Sequence, residues 1–572
     1  MPGGLPTVGP AAAGLVPPTG RQRPGRWPAL APGMAAPAAA AAVLVVAGLW
    51  GLARDSAMGN DEVATRWAAL LPLRPLTLLL RHVDAVHGLY YLFMHAWMAV
   101  GSSPAVMRIP SVLAMALAAA LLAIVGRRLT GSAAAGLLAG LVMAVTPVIT
   151  YYAQTARSYA LVLACVLAAT LALLRALNAG PIARSPAGRP VAPPSLGAGS
   201  SVQATPRPAG SLAGSPASRP RVAVWWLGYG ALLTLAGYLN EMALLVIAAH
   251  AVTIALARPG GAVAVRWAAA AAAAAVLVSP LAVLSDREGE AVTWITPPGT
   301  HDLLVLFHDY FGATTAAAVL VAVCALLALL PGRRDRGRAG TRPPVTLASV
   351  ALPLLIVPAA LLLTESVVAR PLYVDRYVLY GEAGAALLAG AGLARAGQRL
   401  AQWLARSRPE QAAAPRTAAM ALGVVVIAGA LVLQLGPQRA VRTPGSRLFD
   451  FGGPSQYIGA HARPGDGILY FGRFFRKAEL GYPADYRDTR DFGLAISPAR
   501  SGSFQGTSKP AVAAVALMPR FRRIWVLGRA PSRQLPPGPA VAETRLLQQQ
   551  YTLIAQRRYR GITVTLWQRD QR

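Results

Sequence analysis

A polytopic, all-α membrane protein with a small C-terminal α/β domain is the fold class this sequence predicts, and three observations predict it. The first is composition: 55% of the 572 residues are apolar, 13% are charged and the mean hydropathy is +0.46, outside the usual range of soluble globular chains. The second is a succession of apolar runs long enough to cross a bilayer, each needing roughly 17 to 25 residues. The third is a change of pattern after residue 435. There, short runs such as ILYF at 468–471, IWVL at 524–527 and ITVTL at 562–566 accompany a helical ETRLLQQQ at 543–550, the signature of a small α/β domain.

The spans are expected near 35–52, 109–125, 131–149, 158–176, 223–239, 241–257, 267–284, 312–330, 346–363, 377–394 and 417–435, about 11 in all. Residues 1–34 read as a disordered cytoplasmic N-terminus. Arg21, Arg23 and Arg26 precede the first run, and Trp50 and Leu52 lead out of it into a charged segment where a signal peptide would carry small residues for cleavage. The run is therefore read as a retained helix. The apolar stretch 89–100 contains His95 and is too short to span, so it is read as a re-entrant or interfacial helix. The loop 179–222, rich in Pro, Ser, Gly and Ala, is expected to be disordered.

The net charge of +31 does not mark a nucleic-acid binder, because the arginines sit in loops between apolar runs and form no basic face. With the N-terminus inside, Arg127–Arg128, the five arginines of 184–221, Arg258 and Arg266, the cluster at 333–342 and that at 395–416 all fall on the cytoplasmic side, as the positive-inside rule requires. The acidic loop with Asp286, Glu288, Glu290, Asp302 and Asp309, and the domain 436–572, then fall outside. The protein is expected to be a multi-pass plasma-membrane protein. Its two cysteines, Cys165 and Cys324, lie within spans and carry no disulfide or zinc spacing.

This orientation collects polar residues on one side: Asp61, Glu62, Asp84 and His87 from the first external loop; Tyr152, Gln154 and Arg157 after the third span; Asn240 and Glu241; and Arg370, Arg376 and Tyr377 before the tenth. Ionisable groups at the edge of hydrocarbon are costly and commonly serve a site. Carboxylate, arginine and tyrosine together suit a reaction whose leaving group is a lipid-anchored phosphate. A carboxylate accepts a proton from an acceptor hydroxyl, and Arg and Tyr donors neutralise the departing anion. The histidines share no ligand spacing and no metal site is assigned; a divalent metal is not favoured and no cofactor is expected. A transporter or flippase for a lipid-linked substrate is the rival class; it predicts repeated halves or broken paired helices, and the sequence shows no clear internal repeat.

Several motifs resemble those of the GT-C membrane glycosyltransferases, in the bacterial branch related to protein O-mannosyltransferases and aminoarabinose transferases (family 39-like). They are Asp61–Glu62 after the first span, DAVHGLYYLFMHAW from Asp84, MRIPS from Met107 with GRRL from Gly126, and YAQTARSYAL from Tyr152. ARPLYVDRY from Ala369 is similar to a motif of the actinobacterial members, and the resemblance runs over roughly 35–435. His87–Gly88 departs from it, since many relatives carry proline after the histidine. The resemblance implies a GT-C catalytic domain over 35–435, a polyprenyl-phosphate sugar donor, an outward-facing site and an inverting transfer. The acceptor would be a cell-envelope glycan, lipid or protein, with no role for nucleic acid. It further implies Asp61 as base, Glu62 supporting acceptor binding or orientation, Asp84 and His87 lining the cavity, and Arg157 and Arg376 with Tyr377 at the donor phosphate. Tyr152, Gln154 and Arg370 are the remaining substrate-binding candidates. Mannose is the expected sugar and arabinofuranose the alternative.

Overall fold

The computed structural model describes residues 33–53, 57–179, 219–288, 294–330, 345–407, 415–529 and 540–570. The expected disorder of the N-terminus and of the loop 179–222 concerns segments that lie almost wholly outside those residues, as does the arginine cluster at 333–342.

The chain forms α1 (Ala35–Leu49), α2 (Asn60–Leu70), α3 (Leu73–Leu80), α4 (Gly88–Trp97), α5 (Pro104–Thr130), α6 (Ala133–Val145), α7 (Pro147–Ala153), α8 (Tyr159–Ala179), α9 (Arg219–Leu239) and α10 (Val246–Ala257). There follow α11 (Gly261–Arg287), α12 (Thr300–Phe311), α13 (Thr315–Leu329), α14 (Leu347–Val368), α15 (Glu382–Ser407) and α16 (Pro415–Leu433). Among the described residues six helical segments, containing α5, α8, α9, α11, α14 and α15, are long and apolar enough to cross a membrane, or eight if each of two bent pairs is one span.

The bends have local causes. Pro147 starts a new helix where the sequence pattern continues a span to 149, and α6 and α7 meet at 73°. A proline cannot supply the N–H that would continue the preceding helix. The stretch 300–311, expected as part of an acidic loop, forms α12, bent by 67° from α13 at Gly312. The expected spans at 35–52, 241–257 and 417–435 contain shorter apolar helices. At 1.5 Å per residue, the 15 residues of α1 reach roughly 22 Å.

The bundle closes around α15, whose first half is buried on every side. Small residues allow this. A Cβ on Gly390 would meet the backbone of Ala139 in α6, one on Gly384 the backbone of α14 at Ala351, and one on Gly392 the Cys324 carbonyl in α13. With lipid outside as apolar as the core, close backbone approach of this kind holds membrane helices together. By contrast α11 turns Val265, Val276, Leu277 and Val283 outward, as a lipid-facing helix does.

Helices α2 to α4 cover one end of the bundle. The same end carries the C-terminal module, which begins with α17 (Leu435–Ala440), α18 (Gly452–His461) and α19 (Lys477–Gly481). Its sheet has the order β2-β1-β5-β7-β6, built from β1 (Asp466–Tyr470), β2 (Thr489–Asp491), β5 (Arg523–Gly528), β6 (Tyr551–Tyr559) and β7 (Ile562–Arg569); β3 (Leu494–Ile496) and β4 (Thr507–Ser508) pair separately. Strand β1 runs parallel to β2 and β5, and β7 is antiparallel to both its neighbours. Trp525 of β5 is fully buried. The module is welded to the bundle: Arg66 of α2 donates to the Gly481 carbonyl at 3.1 Å, and the Tyr482 hydroxyl accepts from the Met58 amide at 2.8 Å.

The basic residues at the far end of α5, Arg127 and Arg128, stand 19 residues beyond Arg108, roughly 29 Å along the helix. Arg127 holds the Gly33 carbonyl there, so the start of α1 lies opposite the module.

Gly392→Ala is expected to cost about 1–3 kcal/mol through overpacking. Gly228→Ala, where a Cβ meets nothing within 4 Å, is expected to leave stability unchanged or slightly raised. Thermal unfolding of the two variants in one detergent checks the difference.

Candidate active site

The Asp61–Glu62 pair begins α2, and the two neighbours do different things. Glu62 closes the start of the helix by accepting from the Gly59 amide at 3.2 Å, the reciprocal half of a capping box. Its carboxylate also receives Arg108 from α5 in bidentate fashion, at 2.7 and 2.9 Å, and the Ala156 amide at 3.0 Å. Arg447, from the strand of chain entering the C-terminal module, approaches to 3.5 Å. Burial pushes the Glu62 carboxyl up, but Arg108 and Arg447 overcome it and hold it down at about 2. With its oxygens occupied by protein donors, Glu62 has no lone pair to offer an acceptor. The geometry gives it a positioning place, which among the two expected from sequence, acceptor binding or orientation, is compatible with the second.

Asp61 points into a cavity of about 800 Å³. Its Oδ1 accepts from the Asn60 side chain at 3.2 Å, and among the described residues it forms no ion pair. Burial raises its pKa, and the nearby charges of Arg157 and Arg376 more than offset this, so the carboxyl lies below its ordinary value of 3.8. It is a free, ionised carboxylate.

Asp84 takes a left-handed conformation, φ 61°, which aspartate tolerates better than most residues. Its Oδ2 accepts from the Tyr91 hydroxyl at 2.5 Å and pairs with Arg157 at 3.4 Å. Burial raises this carboxyl too, and Arg157 leads the charges that bring it to about 2. His87 goes the other way: burial and then Arg157 lower it to about 4, so it is a neutral imidazole at pH 7. Its Nδ1 has no hydrogen-bond partner among the described residues.

Arg157 stands in the short loop between α7 and α8, which Ser111 of α5 fixes by donating to the Thr155 carbonyl at 2.7 Å. The guanidinium donates to Tyr91 at 2.7 Å and to Thr65 at 3.4 Å, and its Nε is unpartnered. Arg376, on the 3-10 turn ahead of α15, donates to the Tyr159 hydroxyl at 3.0 Å and lies over the rings of Tyr159, Trp294 and Tyr377. It has no ion pair among the described residues. Arg370 pairs with Asp286 at 2.8 Å, both well exposed at the rim.

Nine of the ten residues expected at the site line this cavity: Asp61, Glu62, Asp84, His87, Tyr152, Arg157, Arg370, Arg376 and Tyr377. Gln154 does not. Its side-chain amide donates to the carbonyls of Gly48 and Trp50 at 2.7 and 2.9 Å, so it ties down the end of α1 and has no donor left for a substrate.

Three cations escaped the sequence reading. Arg108 carried a signal: a cation in the first turns of a helix faces the positive end of the helix dipole and needs an acid partner. Arg447 and Lys477 belong to the C-terminal module, together with Phe449, Phe474, Phe475 and Phe504, which also line the cavity. Among the described residues no group of three or more His, Cys, Asp and Glu is arranged to hold a metal.

The structure is similar over nearly its whole length to the crystal structure of ArnT from Cupriavidus metallidurans bound to undecaprenyl phosphate. The TM-score is 0.53 at 14% sequence identity, covering 92% of this chain and 97% of that one. The chain has the ArnT fold. ArnT in its apo state gives a TM-score of 0.52 at 13% identity with the same coverage. A family described as dolichyl-phosphate-mannose-protein mannosyltransferase matches residues 87–184, and no curated protein sequence matches the chain. The ArnT likeness agrees with the GT-C fold that the sequence motifs imply, and at these identities it is a likeness of fold.

Glu62→Gln leaves Arg108 and Arg447 buried without their counter-charge and is expected to cost about 3–5 kcal/mol at pH 7. Because the folded-state pKa of Glu62 is depressed to about 2 from an ordinary 4.5, its contribution is fully present above pH 4.5 and is lost as pH falls towards 2. Melting curves of the two proteins across that range should therefore converge at the acid end.

Proposed function

We propose that the chain is a membrane glycosyltransferase that moves a sugar from a polyprenyl-phosphate donor to a hydroxyl group of a cell-envelope acceptor. The observation that carries this is the Asp61 carboxylate, in no ion pair among the described residues yet held below its ordinary pKa by Arg157 and Arg376 in the same cavity, whereas burial raises the other unpaired carboxyls there, Glu241 and Glu288. The fold likeness to a protein solved with undecaprenyl phosphate supports a donor of that chemistry.

In this reading the acceptor hydroxyl binds against Asp61, which takes its proton as the oxygen attacks the anomeric carbon. The bond from that carbon to the phosphate oxygen breaks, and polyprenyl phosphate leaves with its negative charge facing Arg157 and Arg376. Attack opposite the leaving group inverts the anomeric centre. Asp84 and Tyr91 hold Arg157 in place, and neutral His87 adds no competing positive charge.

Counting α1, the 241–257 segment, α16 and both bent pairs as crossings gives the eleven spans expected from sequence. With the short loops that carry Arg127–Arg128 and Arg258–Arg266 inside, the end with the cavity and the module of 436–572 faces the outside of the plasma membrane. The mannosyl family match covers only residues 87–184, whereas the ArnT likeness runs through almost all of both chains. The neighbour solved with undecaprenyl phosphate names no sugar, so mannose and arabinofuranose both go to the test.

Purified protein in nanodiscs, given radiolabelled polyprenyl-phosphate arabinofuranose and mannose in turn, is expected to transfer one of them. Asp61→Asn should lower kcat by about 10²–10⁴-fold without weakening binding of undecaprenyl phosphate. Undiminished turnover would remove Asp61 as the base, and failure with every donor would remove the transferase reading.

A further inference from the structure

The chain has two lysines among its 54 basic residues, and one of them, Lys477, is buried at the cavity wall. It opens α19, which packs against α2 and thereby brings a residue of the C-terminal module beside the Asp61 segment. Its Nζ donates to the Asn60 side-chain carbonyl at 2.7 Å, across 417 residues of sequence. Among the described residues it has no ion-pair partner, although Asp61 and Asp84 line the same cavity.

What surrounds the ammonium holds it without neutralising it. The rings of Phe474 and Phe504 lie 5.2 Å from Nζ on either account, attractive to a cation through their faces. Phe504 is in turn set against Trp67 of α2 at 5.5 Å. An ammonium has three donors, and the amide of Asn60 takes one. A buried lysine with a neutral acceptor and two aromatic walls keeps its charge for something not part of the protein. Burial lowers its pKa, while Asp84 and Asp61 work to restore it. A bound anion would do the same.

We propose that Lys477 contacts a phosphate-type anion of the substrate, so that the C-terminal module completes the cationic side of the cavity formed by Arg157 and Arg376. The proposal rests on the transferase reading and deepens it. A compact ammonium with free donors suits a tetrahedral phosphate as a point charge, and the two arginines are already tied to Tyr91, Asp84 and Tyr159. The anion comes either from the lipid-borne donor phosphate or from a soluble acidic acceptor, and the same chemistry serves both.

The test measures the affinity of full-length protein in nanodiscs for undecaprenyl phosphate, undecaprenol and inorganic phosphate, in the wild type, Lys477→Met and Lys477→Arg. Loss of a charge-assisted hydrogen bond predicts that Lys477→Met binds undecaprenyl phosphate roughly 10- to 100-fold more weakly, that undecaprenol binding is unchanged, and that Lys477→Arg recovers much of the loss. Weakening confined to inorganic phosphate would keep the anion site and assign it to a soluble substrate. Unchanged affinity for both phosphates would overturn the proposal, as would an equal loss of undecaprenol binding, which marks a packing residue. A wild type that binds no undecaprenyl phosphate would bring down the transferase reading itself. Should Lys477→Met fail to fold, Lys477→Gln carries the same comparison.

Discussion

The rest of the structure depends on the buried ion cluster of Glu62. Two guanidiniums and one carboxylate removed from water carry a desolvation cost of several kcal/mol each unless they meet in good geometry with their hydrogen bonds filled. Here the bidentate Arg108, the Arg447 contact and the amides of Gly59 and Ala156 fill the carboxylate. Those groups come from α5, the entry to the C-terminal module, the cap of α2 and the loop ahead of α8. None of the four can be displaced without stranding a buried charge or a buried amide, so they assemble as one unit. Cluster formation also aims Asp61: successive residues on a helix point about 100° apart, and fixing Glu62 inward turns its neighbour towards the cavity.

A division of electrostatic labour follows. Of the three carboxylates among the described residues between α1 and α5, Glu62 is satisfied by two arginines and Asp84 by Arg157 and Tyr91, leaving Asp61 without a cation of its own. On the opposite ledger, Arg376 and Lys477 lack acid partners among the described residues. The cavity thus presents Asp61 outside any ion pair among the described residues, as are Glu241 and Glu288 on its wall, together with the unpaired cations Arg376 and Lys477, all set among aromatic rings that limit screening by water. Such an interior favours an anionic ligand, and Arg157, followed by Arg376, holds the Asp61 carboxyl below its ordinary value against the effect of burial.

Hydropathy made the bundle legible in the sequence, because a span is a local property and its cost in lipid is read residue by residue. The bends at Pro147 and Gly312 were less legible: apolar content continues through them, and only backbone chemistry breaks the helix. Within the site, the residues found from sequence were those whose charge is conspicuous at the mouth of a span, such as Asp61, Arg157 and Arg376. Gln154 looked equally conspicuous yet serves α1, since an uncharged amide at a helix end finds a backbone carbonyl as readily as a ligand. Arg108, Arg447 and Lys477 stayed hidden because their partners lie far away in sequence, 46 residues for Arg108 and Glu62 and 417 for Lys477 and Asn60. No periodicity encodes a contact at such range.

The module therefore differs from an appended recognition domain. Its parallel β1, β2 and β5 place the loop after β1, with Phe474, Phe475 and the start of α19, over the end of the helical bundle. Arg447 and the Arg66–Gly481 bond anchor it there from both sides. A separate domain would tolerate rigid-body movement, because interfaces between such domains are small and polar. This one shares the hydrophobic core of the bundle and buries a charge at the junction, so movement would break the ion cluster that orients Asp61. The cavity wall supplied by the bundle carries the free carboxylate and the arginines, and the wall supplied by the module carries the lysine and the aromatic rings. Charged groups therefore face the cavity from both walls, and Asp61 is positioned by the same contact that seats the module.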